Sequence, residues 1–456
     1  MARTPLDAAE TRERSALRRR AVRSAWAGFA IDSYSTFLPA IALAPAIGYF
    51  QGGLSGGAAA LFSGIVFAAT LLGRPIGAVV FGRLADLVGR KRVGAITIYG
   101  FGAVTLLIAC LPGAAQVGAP VAMTLLVVLR FADGIFLGGE YTAATPLALE
   151  YAEPHRRGFT GGLIQSAGSA GPALVSIATA LALVVLPVTG PQPAASPYAV
   201  WGWRIPFVIG AVVAFAVARY LRSQVEDSPT QQHAAKVKSP IRELLRGPSG
   251  RTFVQVWIMA MGFFFGLNIV ANVIPQLLLA IPGFTARMLT ATQVIGAGLG
   301  VLSYIVFGLL SDRIGRKRAI VAATVTSLLV TPLCVTLIGL HAATDFAGLT
   351  VLVALASAAV VAPMGILPVY MNERFPTAIR SSGWGIAFST AVVIPAFYAF
   401  YQAALATFMP FAYTGGLLIA FGALLVLIGL RAGPETRGID LATAGQTPTG
   451  ATTHRG

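Results

Sequence analysis

A chain of 456 residues that is 56% hydrophobic and only 11% charged, with a mean hydropathy of +0.76, carries more apolar surface than a soluble core of its size can bury. This argues against a soluble enzyme or binding module and for a membrane protein. The net charge of +16 would suit a nucleic-acid binder, but no basic patch comes with a soluble module, so no nucleic acid is expected as a partner.

A membrane crossing takes about 20 mostly apolar residues. Twelve runs of that kind follow one another at 23–50, 57–82, 93–112, 119–141, 158–188, 200–220, 253–280, 290–311, 318–340, 346–370, 380–407 and 409–431. The fold class expected is an all-α membrane protein of twelve transmembrane helices in two sets of six. The expected division is a polar N-terminal tail at 1–22, disordered at its beginning, a first six-helix unit at 23–220, a basic linker at 221–252, a second unit at 253–431 and a polar tail at 432–456 with no folding signal. Charge alternates by loop: 29 of the 33 Lys and Arg lie in the two tails, the linker and the loops on one face, while the opposite loops hold only Arg204 and Arg287. The positive-inside rule then puts both termini in the cytoplasm of a multi-pass protein of the cell (plasma or inner) membrane, and the lipid bilayer is the first partner. The Arg-rich start resembles a secretion signal, but its apolar run is too long and contains Asp32, so it is expected to stay as the first helix. Cys110 and Cys334 lie near the ends of spans, where each is expected to be a small buried side chain, without a disulfide framework.

The stretch Gly82-Arg83-Leu84-Ala85-Asp86-Leu87-Val88-Gly89-Arg90-Lys91-Arg92 returns 226 residues later as Gly308-Leu309-Leu310-Ser311-Asp312-Arg313-Ile314-Gly315-Arg316-Lys317-Arg318. So charged a connection cannot lie in hydrocarbon and must be a loop where two helices reverse. Its recurrence at half the chain length makes the protein two related halves. Charge pairs of Asp86 with Arg90 and of Asp312 with Arg316, at helix ends where the halves meet, can latch one conformation as a cytoplasmic gate that also includes Gly89 and Gly315, with Gly82 and Gly308 allowing close approach. The plainer alternative is that these charges only fix topology. The loops Glu150–Gly158 and Asn372–Gly383 share a weaker Glu, Pro, Arg, Gly order.

Charges inside spans are costly, at least ~2.5 kcal/mol on insertion scales, and usually functional. The first span holds Asp32. The fourth holds Arg130, Asp133 and Glu140, whose spacings of three and seven share one helical face. Arg130 enters from one side to a depth close to that of Asp32 from the other, so an Arg130–Asp32 pair is open to them. A carboxyl in low dielectric favours its protonated form and a neighbouring guanidinium the ionised form. Asp32 is therefore the first candidate proton carrier, Asp133 and Glu140 alternative carriers or relays, and a permanent structural ion pair the competing reading. An anionic solute engaging Arg130 would release Asp32 to take up a proton. Asn268, Asn272 and Gln276 form an i, i+4, i+8 polar stripe on the seventh span that can line a solute path, although amides also bind helices together. Gln165 and Tyr34 are further candidate solute contacts. No metal-spaced cluster, nucleophile elbow or phosphate loop occurs, so no enzyme activity, metal or cofactor is expected and the energy would come from an ion gradient.

The two charged turns, Arg130-x3-Gly134 and Pro434-Glu435-Thr436 resemble the major facilitator superfamily over residues 23–438. Gly138-Gly139-Glu140-Tyr141, Glu150-Tyr151 and Arg156-Arg157-Gly158 look most like its metabolite:proton symporter branch. The resemblance implies two pseudo-symmetric six-helix bundles rocking about a midplane site, and a monomer that carries a small organic acid or zwitterionic metabolite together with protons by alternating access. Ser33, Tyr34 and Ser35 follow Asp32 where branch members often carry a second acid, and Asp133 stands where an amide is more common. Two rival readings are a proton-driven exporter of drugs or metabolites and a non-transporting membrane sensor.

Overall fold

The computed structural model describes residues 5–53, 56–188, 195–224, 244, 249–341 and 345–441. Most of the expected linker, the first four residues of the N-terminal tail and the C-terminal tail from 442 lie outside the described residues. Among the described residues twelve helices are long and apolar enough to cross a membrane: α1 (Ser15–Ala46), α2 (Gly64–Val88), α3 (Arg90–Ala109), α4 (Ala119–Glu150), α5 (Pro154–Val185), α6 (Tyr198–Gln224), α7 (Gly250–Leu278), α8 (Met288–Ile314), α9 (Arg316–Gly339), α10 (Phe346–Glu373), α11 (Thr377–Leu405) and α12 (Phe411–Arg431). Hydrocarbon offers the backbone no partners, so each segment satisfies its own N–H and C=O groups as helix. The protein is a multi-pass membrane protein. Side chains such as Leu181, Val184 and Leu329 stand outward, as a lipid-facing surface requires.

α1–α6 form one bundle and α7–α12 the other, with the start of α1 and the segment after α12 on one face, where both meet the start of α5. In the first bundle α2 and α4 run closest. A Cβ on Gly134 or Gly138 would enter the carbonyl of Thr70 or Arg74, so only glycine lets the backbones touch. Prolines lie inside α2, α4, α5 and α9 at Pro75, Pro146, Pro172 and Pro332. π turns interrupt α1 at Pro39–Leu43 and α7 at Ile269–Val273.

Three expectations are corrected. The helix that becomes α1 begins at Pro5, inside the segment expected to be a polar tail; its Ala, Arg, Leu and Glu content favours helix, and Arg18 pairs with Glu153 at the start of α5. The final segment is ordered to Leu441 by hydrogen bonds described below. Cys110 is exposed at the end of α3, whereas Cys334 is buried as expected.

Candidate functional site: a buried charge cluster above a sealed face

The bundles meet along the halves of their helices nearer the termini. There α2 packs on α11 and α5 on α8, while α1 and α7 pack mainly within their own bundles. Where α5 crosses α8, a Cβ on Gly308 would stand 2.6 Å from the Gly158 carbonyl oxygen and 3.1 Å from the Gly162 Cα. Gly82 approaches the Ser382 backbone in the same way at the α2–α11 crossing, 3.3 Å from its Cα. Gly89 and Gly315 adopt φ of +116° and +98°, values that admit glycine at the two repeated turns.

The acids of the repeated turns cap helix starts in the opposite bundle. Asp86 accepts from the Ser382 N–H and hydroxyl at 3.0 and 2.7 Å, and Asp312 accepts from the N–H groups of Gly158 and Phe159 at 2.9 and 2.8 Å. Free N–H groups at a helix start favour negative charge, so each cap is electrostatically matched. Arg316 reaches Asp312 at 2.7 Å, as the spacing predicts, whereas Arg90 is only loosely paired with Asp86, at 3.9 Å. Both arginines turn toward glutamates that the sequence analysis placed in the weaker loop repeat but did not count among the latch charges. Glu150 holds Arg90 and, at 2.5 Å, Arg380 of the other bundle. Glu373 holds Arg157 of the first bundle at 3.0 Å and Arg316 at 3.4 Å. The signal lay in that weaker repeat: Glu150 and Arg157 recur 223 residues later as Glu373 and Arg380.

The C-terminal segment lies across this face. Thr436 donates to Glu373 at 2.6 Å, and the Ile439 and Leu441 carbonyls accept from Arg157 at 3.0 Å and Arg380 at 2.8 Å. Glu435 takes the first two N–H groups of α9, from Arg316 and Lys317, at 2.8 and 3.0 Å. Burial alone would raise the Glu435 carboxyl, but N–H donors from Arg437, Arg316, Lys317 and Thr436 outweigh it and hold the group below the usual carboxylate range.

Above the sealed face, α1, α2 and α4 enclose Asp32, Arg74, Arg130, Asp133 and Glu140, all buried. The expected Arg130–Asp32 pair is not formed. Asp32 is held by Arg74 at 3.0 Å, and Arg74 also donates to the Thr36 hydroxyl at 2.6 Å. Arg130 pairs instead with Asp133, one turn along its own helix, at 2.9 Å, and donates to the Ser35 carbonyl at 3.1 Å. The Ser35 hydroxyl closes the loop on Asp133 at 3.0 Å. Arg74 was legible only as a second arginine inside an apolar run. Its side chain is 10% exposed against none for Arg130, so it is the cation of the cluster that the surroundings can reach. Glu140 packs against Gly28, one turn from Asp32 toward the termini face, and feels the charges of Asp32 and Arg74; among the described residues no hydrogen bond reaches its carboxyl.

The candidate solute contacts separate. Tyr34 is engaged between helices: its hydroxyl donates to the Pro206 carbonyl at 2.8 Å and its ring fills the space over Gly210, so it ties α1 to α6. Asn268 is buried just before the π turn of α7, and among the described residues its amide nitrogen has no partner. Asn272 spends its amide on the Asn268 carbonyl at 3.0 Å, and Gln276 is exposed. Gln165 is buried at the end of the first segment of α5, near the seam between bundles. Among the described residues no group of His, Cys, Asp and Glu could hold a metal ion.

The whole-chain shape matches solved structures. The proton:xylose symporter XylE bound to 6-bromo-6-deoxy-D-glucose superposes with a TM-score of 0.76 at 18% identity, covering 94% of this chain and 98% of that one. A variant of the E. coli fucose:proton symporter FucP gives 0.65 at 17% identity, covering 90% and 97%. In sequence, the chain is 31% identical to the glycine betaine/proline/ectoine/pipecolic acid transporter OusA of Dickeya dadantii (strain 3937), over 72% of this chain and 66% of that protein. It thus spans just under two thirds of that relative. It is also 31% identical to the inner membrane metabolite transport protein YhjE of Escherichia coli (strain K12), over 89% and 91%, and to the alpha-ketoglutarate permease of the same strain, over 72% and 73%. Residues 24–399 match the profile of the Major Facilitator Superfamily, and with that match over most of its length the chain belongs to this superfamily of membrane transporters.

Proposed function

We propose that this chain is a secondary active transporter that carries a small organic acid or zwitterionic metabolite together with protons by alternating access. The observation that carries the reading is the buried Asp32–Arg74 pair, an acid and a base in contact where membrane proteins rarely tolerate charge. The cluster holds three carboxyls and two guanidiniums, so with every group ionised it bears one excess negative charge that one proton neutralises. Arg74 is the cation within reach, and it takes the place first given to Arg130. A carboxylate on the solute that engages Arg74 weakens its hold on Asp32, and Asp32 then takes the proton. Glu140 lies between Asp32 and the sealed face, where it relays the proton when that face opens. Asn268 supplies an amide donor from the facing bundle. The names of the glycine betaine/proline/ectoine/pipecolic acid transporter OusA and of the alpha-ketoglutarate permease support a carboxylate-bearing solute.

The loop charge bias makes the termini face cytoplasmic, so the sealed state opens outward. Asp86, Arg90, Asp312 and Arg316, with Gly82, Gly89, Gly308 and Gly315, form the cytoplasmic gate, joined by Glu150, Arg157, Glu373 and Arg380. Both bundles of the path come from one chain, so a monomer suffices.

The test is uptake of labelled organic acids, amino acids, betaines and sugars into proteoliposomes, with and without an inside-alkaline pH gradient. The wild type accumulates one class under the gradient. Asp32→Asn keeps solute exchange at equal pH but loses gradient-driven accumulation, and Arg74→Gln loses both. Gradient-driven accumulation by Asp32→Asn at the wild-type level refutes the assignment.

A further inference from the structure

A cavity of about 550 Å³ lies outside the charge cluster, on the flank of the first bundle. The described residues that line it are Lys91 and Arg92 in the first turn of α3, Ala95, Ile96 and Tyr99 farther along α3, and Arg222 in the last turn of α6. The three cations gather at the termini end, and the floor behind them is apolar. Ile96 is 44% exposed, and Tyr99 stacks on Phe215 at 6.2 Å between ring centroids, which closes the wall between the two helices. Lys91 and Tyr99 are two turns apart, about 12 Å along the axis at 1.5 Å per residue. The groove therefore runs from headgroup level into the hydrocarbon. No described acid pairs with Arg92 or Arg222.

We propose that this groove binds one anionic phospholipid, its phosphate held by Arg92, Arg222 and Lys91 and an acyl chain lying along Ala95, Ile96 and Tyr99. Two features join here that a free anion does not need together, a basic mouth and an apolar trough opening sideways to lipid. Basic pockets between transmembrane helices favour anionic headgroups over zwitterionic ones by charge alone. Because α3 begins at the Gly89 turn, three residues after Asp86, an occupied groove braces the helix whose first residue, Arg90, holds Glu150.

The full-length protein, purified in detergent, is mixed with phosphatidylglycerol, with phosphatidylcholine or with soluble glycerol 3-phosphate, and lipid retention is read by native mass spectrometry together with the melting temperature. The wild type retains one phosphatidylglycerol and melts higher with it, while phosphatidylcholine and glycerol 3-phosphate leave both readouts unchanged. The R92Q/R222Q double variant loses retention about tenfold or more, at roughly 1 kcal/mol per basic residue, and R92K/R222K restores it. The double variant must elute as the wild type does on size exclusion before its retention is scored; if it does not, the single variants R92Q and R222Q are scored instead. Equal retention by wild type and the charge-neutral variants overturns the proposal. So does a response to glycerol 3-phosphate equal to that of the lipid, which makes the site one for a free phosphate.

Discussion

Replacing Gly308 by alanine places one methyl group where two bundles touch, and its effect can be worked from distances. The added Cβ would stand 2.6 Å from the Gly158 carbonyl oxygen, 3.3 Å from its carbon and 3.1 Å from the Gly162 Cα, against about 3.5–4.0 Å for comfortable contact. Every atom in the way is backbone, so no side chain can swing aside. Overpacking of this kind costs about 1–3 kcal/mol, and the cost falls only on the state in which α5 and α8 are in contact. The balance between sealed and open forms therefore moves by roughly 5- to 150-fold toward opening of the termini face. Spin labels on Arg156→Cys and Arg313→Cys, in a background without Cys110 and Cys334, report the separation across that face by pulsed electron resonance. Gly308→Ala should shift the distribution to longer distances, and Gly162→Ala, which presses on the same crossing from α5, should do likewise. Gly298→Ala on the same helix, where nothing lies within 4 Å of the new carbon, should leave it unchanged. A distribution identical in Gly308→Ala and wild type refutes the view that this crossing seals the face.

Glu150→Gln removes the charge shared by Arg90 and Arg380, which are both buried; the sealed state should lose about 3–5 kcal/mol, seen as the same lengthening between labels. Glu435→Gln should change the pH dependence of stability. The folded carboxyl titrates below its ordinary value of 4.5, so it stabilises above that value and its contribution disappears as pH falls through the lowered one; thermal melting from pH 7 down to pH 3 should fall less steeply in the variant. Tyr34→Phe, which only frees the Pro206 carbonyl, should cost about 1 kcal/mol of stability and leave the apparent affinity for solute unchanged.

The periodic apolar runs made the twelve spans legible, because a bilayer demands length and hydrophobicity that composition displays directly. The repeated Gly, Asp and Arg positions likewise pointed to both halves of the contact between the bundles. What pairs with what was less legible. Arg130 and Asp32 lie at similar depth by counting residues, but depth says nothing of azimuth; the glycine-lined contact of α2 with α4 brings Arg74 to Asp32, while Arg130 finds Asp133 one turn away on its own helix. Glu150 and Glu373 escaped because each sits in a loop motif that looks like an ordinary helix end until the other bundle is laid against it. The segment 433–441 has no apolar pattern of its own. Its order comes from arginines and helix starts more than fifty residues away in sequence.

That segment has a mechanical consequence. The Ile439 and Leu441 carbonyls hold Arg157 in one bundle and Arg380 in the other, so segment 433–441 works like a seam tape over a joint that, under the proposed alternating access, parts once in each cycle. Peeling it comes before parting, and tension on the tail sets how fast peeling occurs. A bulky fusion placed close behind Leu441 would therefore alter the cycling rate even though it touches neither the solute nor the proton.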